Sequence, residues 1–150
     1  MNSLFTEEGK TAIAERLGKL RPDSQRQWGK MNPAQMLHHC QKPLEVAIDG
    51  ADVKVSLIGR LVGGMIKKKM LQPGAPFRKN SPTAPSFKIA DERNFEKERT
   101  QLLAEIERFN RAGAQGKLLG RHPFFGNMTA NDWDIMSWKH LDHHLRQFGV

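Results

Sequence analysis

Thr129-Ala130-Asn131-Asp132-Trp133-Asp134-Ile135-Met136-Ser137-Trp138-Lys139-His140-Leu141-Asp142-His143-His144-Leu145-Arg146-Gln147-Phe148 is the stretch whose reading decides how this chain folds. Thr129 with Asp132 three residues on is a capping-box-like start for a helix. With His140 as the zero direction and ~100° per residue, Trp133 falls near ~20°, His144 near ~40°, Ser137 near ~60° and Phe148 near ~80°. Lys139 and Arg146 fall near ~260° and ~240°, and His143 leans toward them at ~300°. The helix therefore carries His140 and His144, four residues apart, on the face it buries.

Working back from this helix, the same period recurs three times. Asp91 is a candidate N-cap for a helix carrying Phe95, Leu102, Ile106 and Phe109 and stopping near Gly113. Asn32-Pro33 offers a cap followed by proline in the first turn, with Gln35 placed for a capping box. That helix is expected to reach about Ile48, with a kink at Pro43. The first helix runs from about Thr6, its candidate cap, until Arg21-Pro22 ends it. No stretch alternates as a strand does, and 150 residues suit one core, so the expectation is a single all-α domain over 1–150.

On the second helix, with His39 as zero, Met36 falls near ~60°, Ala47 near ~80° and Cys40 near ~100°. His38 falls near ~260°, beside Gln41 and Glu45 on the expected wet face. His39, His140 and His144 are thus the inward histidines. Burying three imidazoles without partners is costly, and one divalent cation would satisfy all three. An all-imidazole set suits zinc, nickel, iron or copper rather than magnesium or calcium. Ser137, one turn before His140, and Gln147, near ~340°, stand where they could reach such a site. Their blander readings are a small packing residue and a polar residue at the stripe's edge. Cys40 reads as a small buried hydrophobe, and Asp142, near ~200°, points away and is no general base. His122, in the apolar loop His122-Pro123-Phe124-Phe125-Gly126, and Trp133 are further pocket candidates.

Between the second and third of the four core helices lies an insert. The net charge of +8 is concentrated there: residues 50–90 hold eight Lys/Arg against Asp52 alone. Residues 53–71 are apolar enough for a short helix, although Gly59, Gly63 and Gly64 weaken it. Residues 71–90 carry Pro73, Pro76, Pro82 and Pro85 and read as an extended connection. The segment lacks the aromatic interleaving of a nucleic-acid stacking platform, so an anionic small molecule or partner surface fits at least as well. No apolar run is long enough to span a membrane, and no signal pattern opens the chain. One cysteine excludes an intrachain disulfide framework. A cytoplasmic protein without a membrane partner is the expectation.

The segment from Trp28 through Met36-Leu37-His38-His39-Cys40, the loop at 122–126, Trp133, and the ending Lys139-His140-Leu141-Asp142-His143-His144 together resemble the DinB-like superfamily, in particular a bacterial branch of unknown function. The resemblance implies an up-down-down-up four-helix bundle with a long crossover between core helices two and three, where the basic, proline-rich insert lies. It also implies a metal triad on His39, His140 and His144, and homodimers are common in that superfamily. Characterised members include transferases and isomerases dependent on low-molecular-weight thiols, and others are described as metal-dependent hydrolases. The expected function is therefore a metal-dependent enzyme, a thiol-dependent transferase or a hydrolase, with zinc or nickel and a thiol as cofactors. The alternative is a non-catalytic metal- or ligand-binding bundle that serves stress response or a partner. Nucleic-acid binding through residues 54–88 is a distant third.

Overall fold

Every α-helix here opens where a short polar side chain takes up a backbone N–H that the first turn leaves unpaired. The computed structural model describes residues 3–51 and 55–150. In α1, Glu7–Lys19, the Thr6 hydroxyl accepts from the Gly9 amide. In α2, Pro33–Asp49, Asn32 and Gln35 form the expected reciprocal box. Ser56 caps α3, Leu57–Met70, and Thr129 with Asp132 boxes α5, Ala130–Gln147. In α4, Phe95–Ala114, the cap is Asn94 and not Asp91. Asp91 is occupied otherwise: its carboxylate pairs with Arg93 and its carbonyl accepts from Gln35.

The fold is predominantly helical. Two departures from the expected pattern are small: a turn of 3₁₀-helix at Pro85–Phe87, and a two-residue antiparallel pair joining Arg121–His122 to Gly126–Asn127. A two-residue strand is too short for alternation to register. The insert helix begins at Leu57; the expected start at Val53 lies outside the described residues.

α2 packs against α4 and α5, and α1 lies across the same two helices. Leu37 and Leu44 of α2 meet a core made of Leu102, Ile106 and Phe109 of α4, Trp133, Leu141 and Leu145 of α5, and Ile13 and Leu17 of α1. The residues before α1 are latched down by buried Asp134, which accepts from the Ser3 hydroxyl and the Leu4 amide. α2 continues through Pro43, which has no N–H to give the carbonyl of His39 one turn earlier.

Outside this core, α3 rests on the loop before α5. A Cβ at Gly63 would overlap the Phe124 carbonyl, so only glycine permits that approach. Lys139 of α5 donates to the carbonyls of Met70 and Gln72, tying the end of α3 to the turn that carries His140. The chain then crosses toward α4 by way of Phe77 and Phe87, both half-buried against the core.

Leu102 and Leu103 are sequence neighbours with opposite fates, 0% and 36% exposed. Leu102→Ala is expected to cost about 3 kcal/mol of unfolding free energy, and Leu103→Ala less than about 1 kcal/mol, by denaturant titration.

Candidate metal centre

The burial of α2 against α5 turns His39 toward His140 and His144. The three ring centroids are 4.6 to 5.0 Å apart, and one nitrogen from each ring lies within 4.8 Å of the others. His39 Nε2 and His140 Nε2 are 3.1 Å apart. Two imidazole ligands at the usual zinc distance and a near-tetrahedral angle place their nitrogens about 3.3 Å apart. The donor set and its spacing fit one small divalent cation.

The far side of two rings fixes which nitrogen faces the centre. His39 Nδ1 lies 2.8 Å from the Phe87 carbonyl, which can only accept, so Nδ1 carries the proton and Nε2 presents its lone pair inward. For His144 the argument runs through a side-chain amide. Gln147 Nε2 donates to the Trp28 carbonyl at 2.7 Å, which sets the amide orientation. Its Oε1 then lies 2.8 Å from His144 Nδ1 and accepts a hydrogen bond from the N–H there. Such outer partners orient metal-binding histidines and raise their basicity.

Gly29 makes this possible. It lies at φ +79°, and any Cβ on it would collide with the Gln147 amide.

Burial keeps these rings neutral, the form that binds a metal. It pushes His144 down to about 3, with His39 adding to the effect. Burial also lowers His39, against the opposing pull of the Phe87 carbonyl. His140 lies well below its ordinary value of 6.5 for the same reason, reinforced by His144, His39 and His143.

The other sequence candidates are distributed differently. Ser137 is buried, and its hydroxyl finds no hydrogen-bond partner among the described residues. Gln147 aims at His144 rather than at a ligand. Cys40 is buried against the Met36 sulfur at 3.6 Å, and burial pushes its thiol well above the usual range, as suits a small hydrophobe. His122 and Trp133 are not brought to the triad: they pack on each other about two turns nearer the start of α5. His122 Nδ1 accepts from the amides of Phe124 and Phe125, and Trp133 Nε1 donates to the Leu119 carbonyl.

His38, expected on the wet face, instead reaches α4, where its Nδ1 meets the buried carboxylate of Glu98 at 2.9 Å. Gln41, also expected outward, is buried and donates to the same carboxylate. That face of α2 is covered by α4, which a single-helix projection does not contain.

The crossover supplies what sequence reasoning missed. Its Phe77 ring lies 6.5 Å from His140 and 6.1 Å from His143, and its Phe87 carbonyl holds His39. A groove of about 650 Å³ opens at His143, the residue before His144, lined also by Trp28, Phe77, Lys79 and Arg146; none of the triad lines it. Main-chain acceptors such as those of Phe87 and Trp28 leave no trace in residue identity. The proline-rich connection was the only signal for that of Phe87.

Burial lowers His122 from 6.5 to about 4. The unfolded chain therefore takes up a proton there that the folded protein refuses, and stability falls as pH drops from about 6.5 toward about 4. His122→Asn keeps an acceptor for the two loop amides but removes the titration. It should flatten that fall by up to about 1.4 kcal/mol per pH unit, measured by denaturant titration across the window.

No curated protein and no solved structure matches the chain. The family model described as "Protein of unknown function (DUF1569)" matches residues 1–149, and the chain belongs to that family.

Proposed function

We propose that this protein is a metal-dependent enzyme of the DinB-like type, a four-helix bundle in which His39, His140 and His144 hold one divalent cation, zinc or nickel. The observation that carries the reading is the pair of outer hydrogen bonds, from His39 to the Phe87 carbonyl and from His144 to Gln147, which turn Nε2 lone pairs into a shared space. A cation bound there supplies an open coordination position that lowers the pKa of water or of a thiol.

The chain's own residues bear on which reaction follows. Asp142 is spent on Arg16 and Arg146, at 2.8 and 2.9 Å, and no aspartate or glutamate side chain lines the groove beside His143 among the described residues. A hydrolytic water needs a base, whereas a thiolate attacking an electrophile needs less acid–base help. Transfer of a low-molecular-weight thiol is therefore the favoured reaction over hydrolysis. Lys79 and Arg146 at the groove suit an anionic small molecule. The Phe77 ring, 6.5 Å from that of His140, partly covers that side. That same cover favours the second reading, a bundle that binds metal without catalysis.

Metal analysis by mass spectrometry on untagged protein should find near-stoichiometric zinc or nickel. The metal should be absent in His39→Ala and in the double variant His140→Ala/His144→Ala. Gln147→Leu, which strips His144 of its outer partner, should weaken metal affinity about 10- to 100-fold. Metal-dependent conjugation of a thiol to an electrophile is the expected activity. Metal-dependent turnover of esters or amides without thiol would replace transfer by hydrolysis, and bound metal with neither activity would leave the binding role.

A further inference from the structure

α3 is amphipathic in the unusual sense that its apolar side faces outward. Ile58, Leu61 and Met65 are 74%, 79% and 69% exposed, and Ile66 joins them at 39%. Four of the six large hydrophobic side chains exposed among the described residues are on this one helix. With Ile58 at zero, Leu61 falls near ~300°, Met65 near ~340° and Ile66 near ~80°, a single stripe. Gly63, near ~140°, is on the side that meets the Phe124 carbonyl, so the docking of α3 on its own loop leaves the stripe uncovered.

The charges on α3 are all of one sign. Lys67 is engaged by Asp132 at 2.8 Å and faces inward. Lys68 and Lys69 are exposed and fall near ~280° and ~20°, at the edge of the stripe and within it. No aspartate or glutamate occurs between residues 55 and 90.

This pattern disfavours a second copy of the helix as the cover. An antiparallel crossing would set each lysine end against the positive N-terminal end of the other helix, and a parallel crossing would set lysine against lysine. It also disfavours nucleic acid, whose grooves and phosphates offer nothing to three exposed aliphatic side chains. Apolar side chains flanked by lysines suit the boundary of a bilayer, where the chains enter the acyl region and the ammonium groups reach the headgroups.

We propose that α3 docks this protein on an anionic phospholipid surface, with Ile58, Leu61 and Met65 inserted and Lys68 and Lys69 at the headgroup level. Such docking requires no spanning helix, and no helix among the described residues is long and apolar enough to be one.

The test is flotation of the full chain with vesicles of phosphatidylcholine alone and with added phosphatidylserine. Binding is expected only to the anionic vesicles and is expected to weaken with salt. Leu61→Gln/Met65→Gln and Lys68→Gln/Lys69→Gln, all at exposed positions, should each lower the bound fraction about tenfold or more with unchanged circular dichroism. His39→Ala should bind vesicles as the parent does, so failure of the metal reading and failure of this one are separable. Absence of flotation with anionic vesicles overturns the proposal. So does a concentration-dependent dimer that Leu61→Gln/Met65→Gln abolishes while vesicles capture nothing. Binding to duplex DNA that needs the lysines but not Leu61 and Met65, again without vesicle binding, overturns it equally.

Discussion

Gln147 accepts a hydrogen bond from His144 only because its own amide nitrogen is committed to the Trp28 carbonyl. The chain of dependence is short. A main-chain oxygen in the connection between α1 and α2 orients a side-chain amide, the amide selects a tautomer, and the tautomer decides which nitrogen looks into the space shared with His39 and His140. His39 is governed in the same manner by the Phe87 carbonyl. Each imidazole by itself would pay for its burial with an unsatisfied nitrogen; together, with the outer nitrogens of His39 and His144 committed, they make a set of acceptors that asks for a cation. The helical core brings α2 and α5 close enough for the rings to meet, and the loops finish the site.

That division explains what could be read from the residues. His140 and His144 were legible because a four-residue step on a helix is a geometric statement, and His39 because its neighbours Met36, Cys40 and Ala47 define an inward face. The helix starts at Asn32 and Thr129 were legible for the same local reason: a cap is written within four residues. Asp91 and Asn94 are competing polar residues before one apolar period, and the choice between them was made by Arg93 and Gln35, which claim Asp91. His38 and Gln41 were misplaced because a projection of one helix cannot include α4, whose buried Glu98 converts a polar face into an interface.

The insert was legible as basic, proline-rich and partly helical, but its contribution to the centre was not. It contributes a carbonyl and an aromatic ring rather than a charged group, and neither is distinguishable in sequence from ordinary filler. Its charge, conspicuous in composition, divides three ways in space. Lys67 pairs with Asp132, Lys79 sits 4.2 Å over the Trp28 ring, and Lys68 and Lys69 remain outward. Composition located the basic segment; only the fold sorted its lysines into structural and free ones. Lys139 adds a mechanical link, because its ammonium, one residue before His140, holds the last carbonyl of α3 and that of Gln72 just beyond it. Whatever α3 rests on is thereby joined to the helix that carries two members of the triad.

Gly29 has a consequence for how this sequence can vary over generations. A side chain at that position displaces the Gln147 amide, and a shorter residue at position 147 removes the obstacle that makes glycine necessary. Positions 29 and 147 are far apart in the chain, and position 29 contributes no side chain to the centre, yet the residue at one limits the residue at the other. Among relatives, a lineage that gives up Gln147 loses one of the two reasons for keeping Gly29, the other being its positive φ. A lineage that fills position 29 must find another acceptor for His144. The dependence therefore runs one way: keeping Gln147 demands glycine at 29, whereas Gly29, held also by its positive φ, does not demand Gln147.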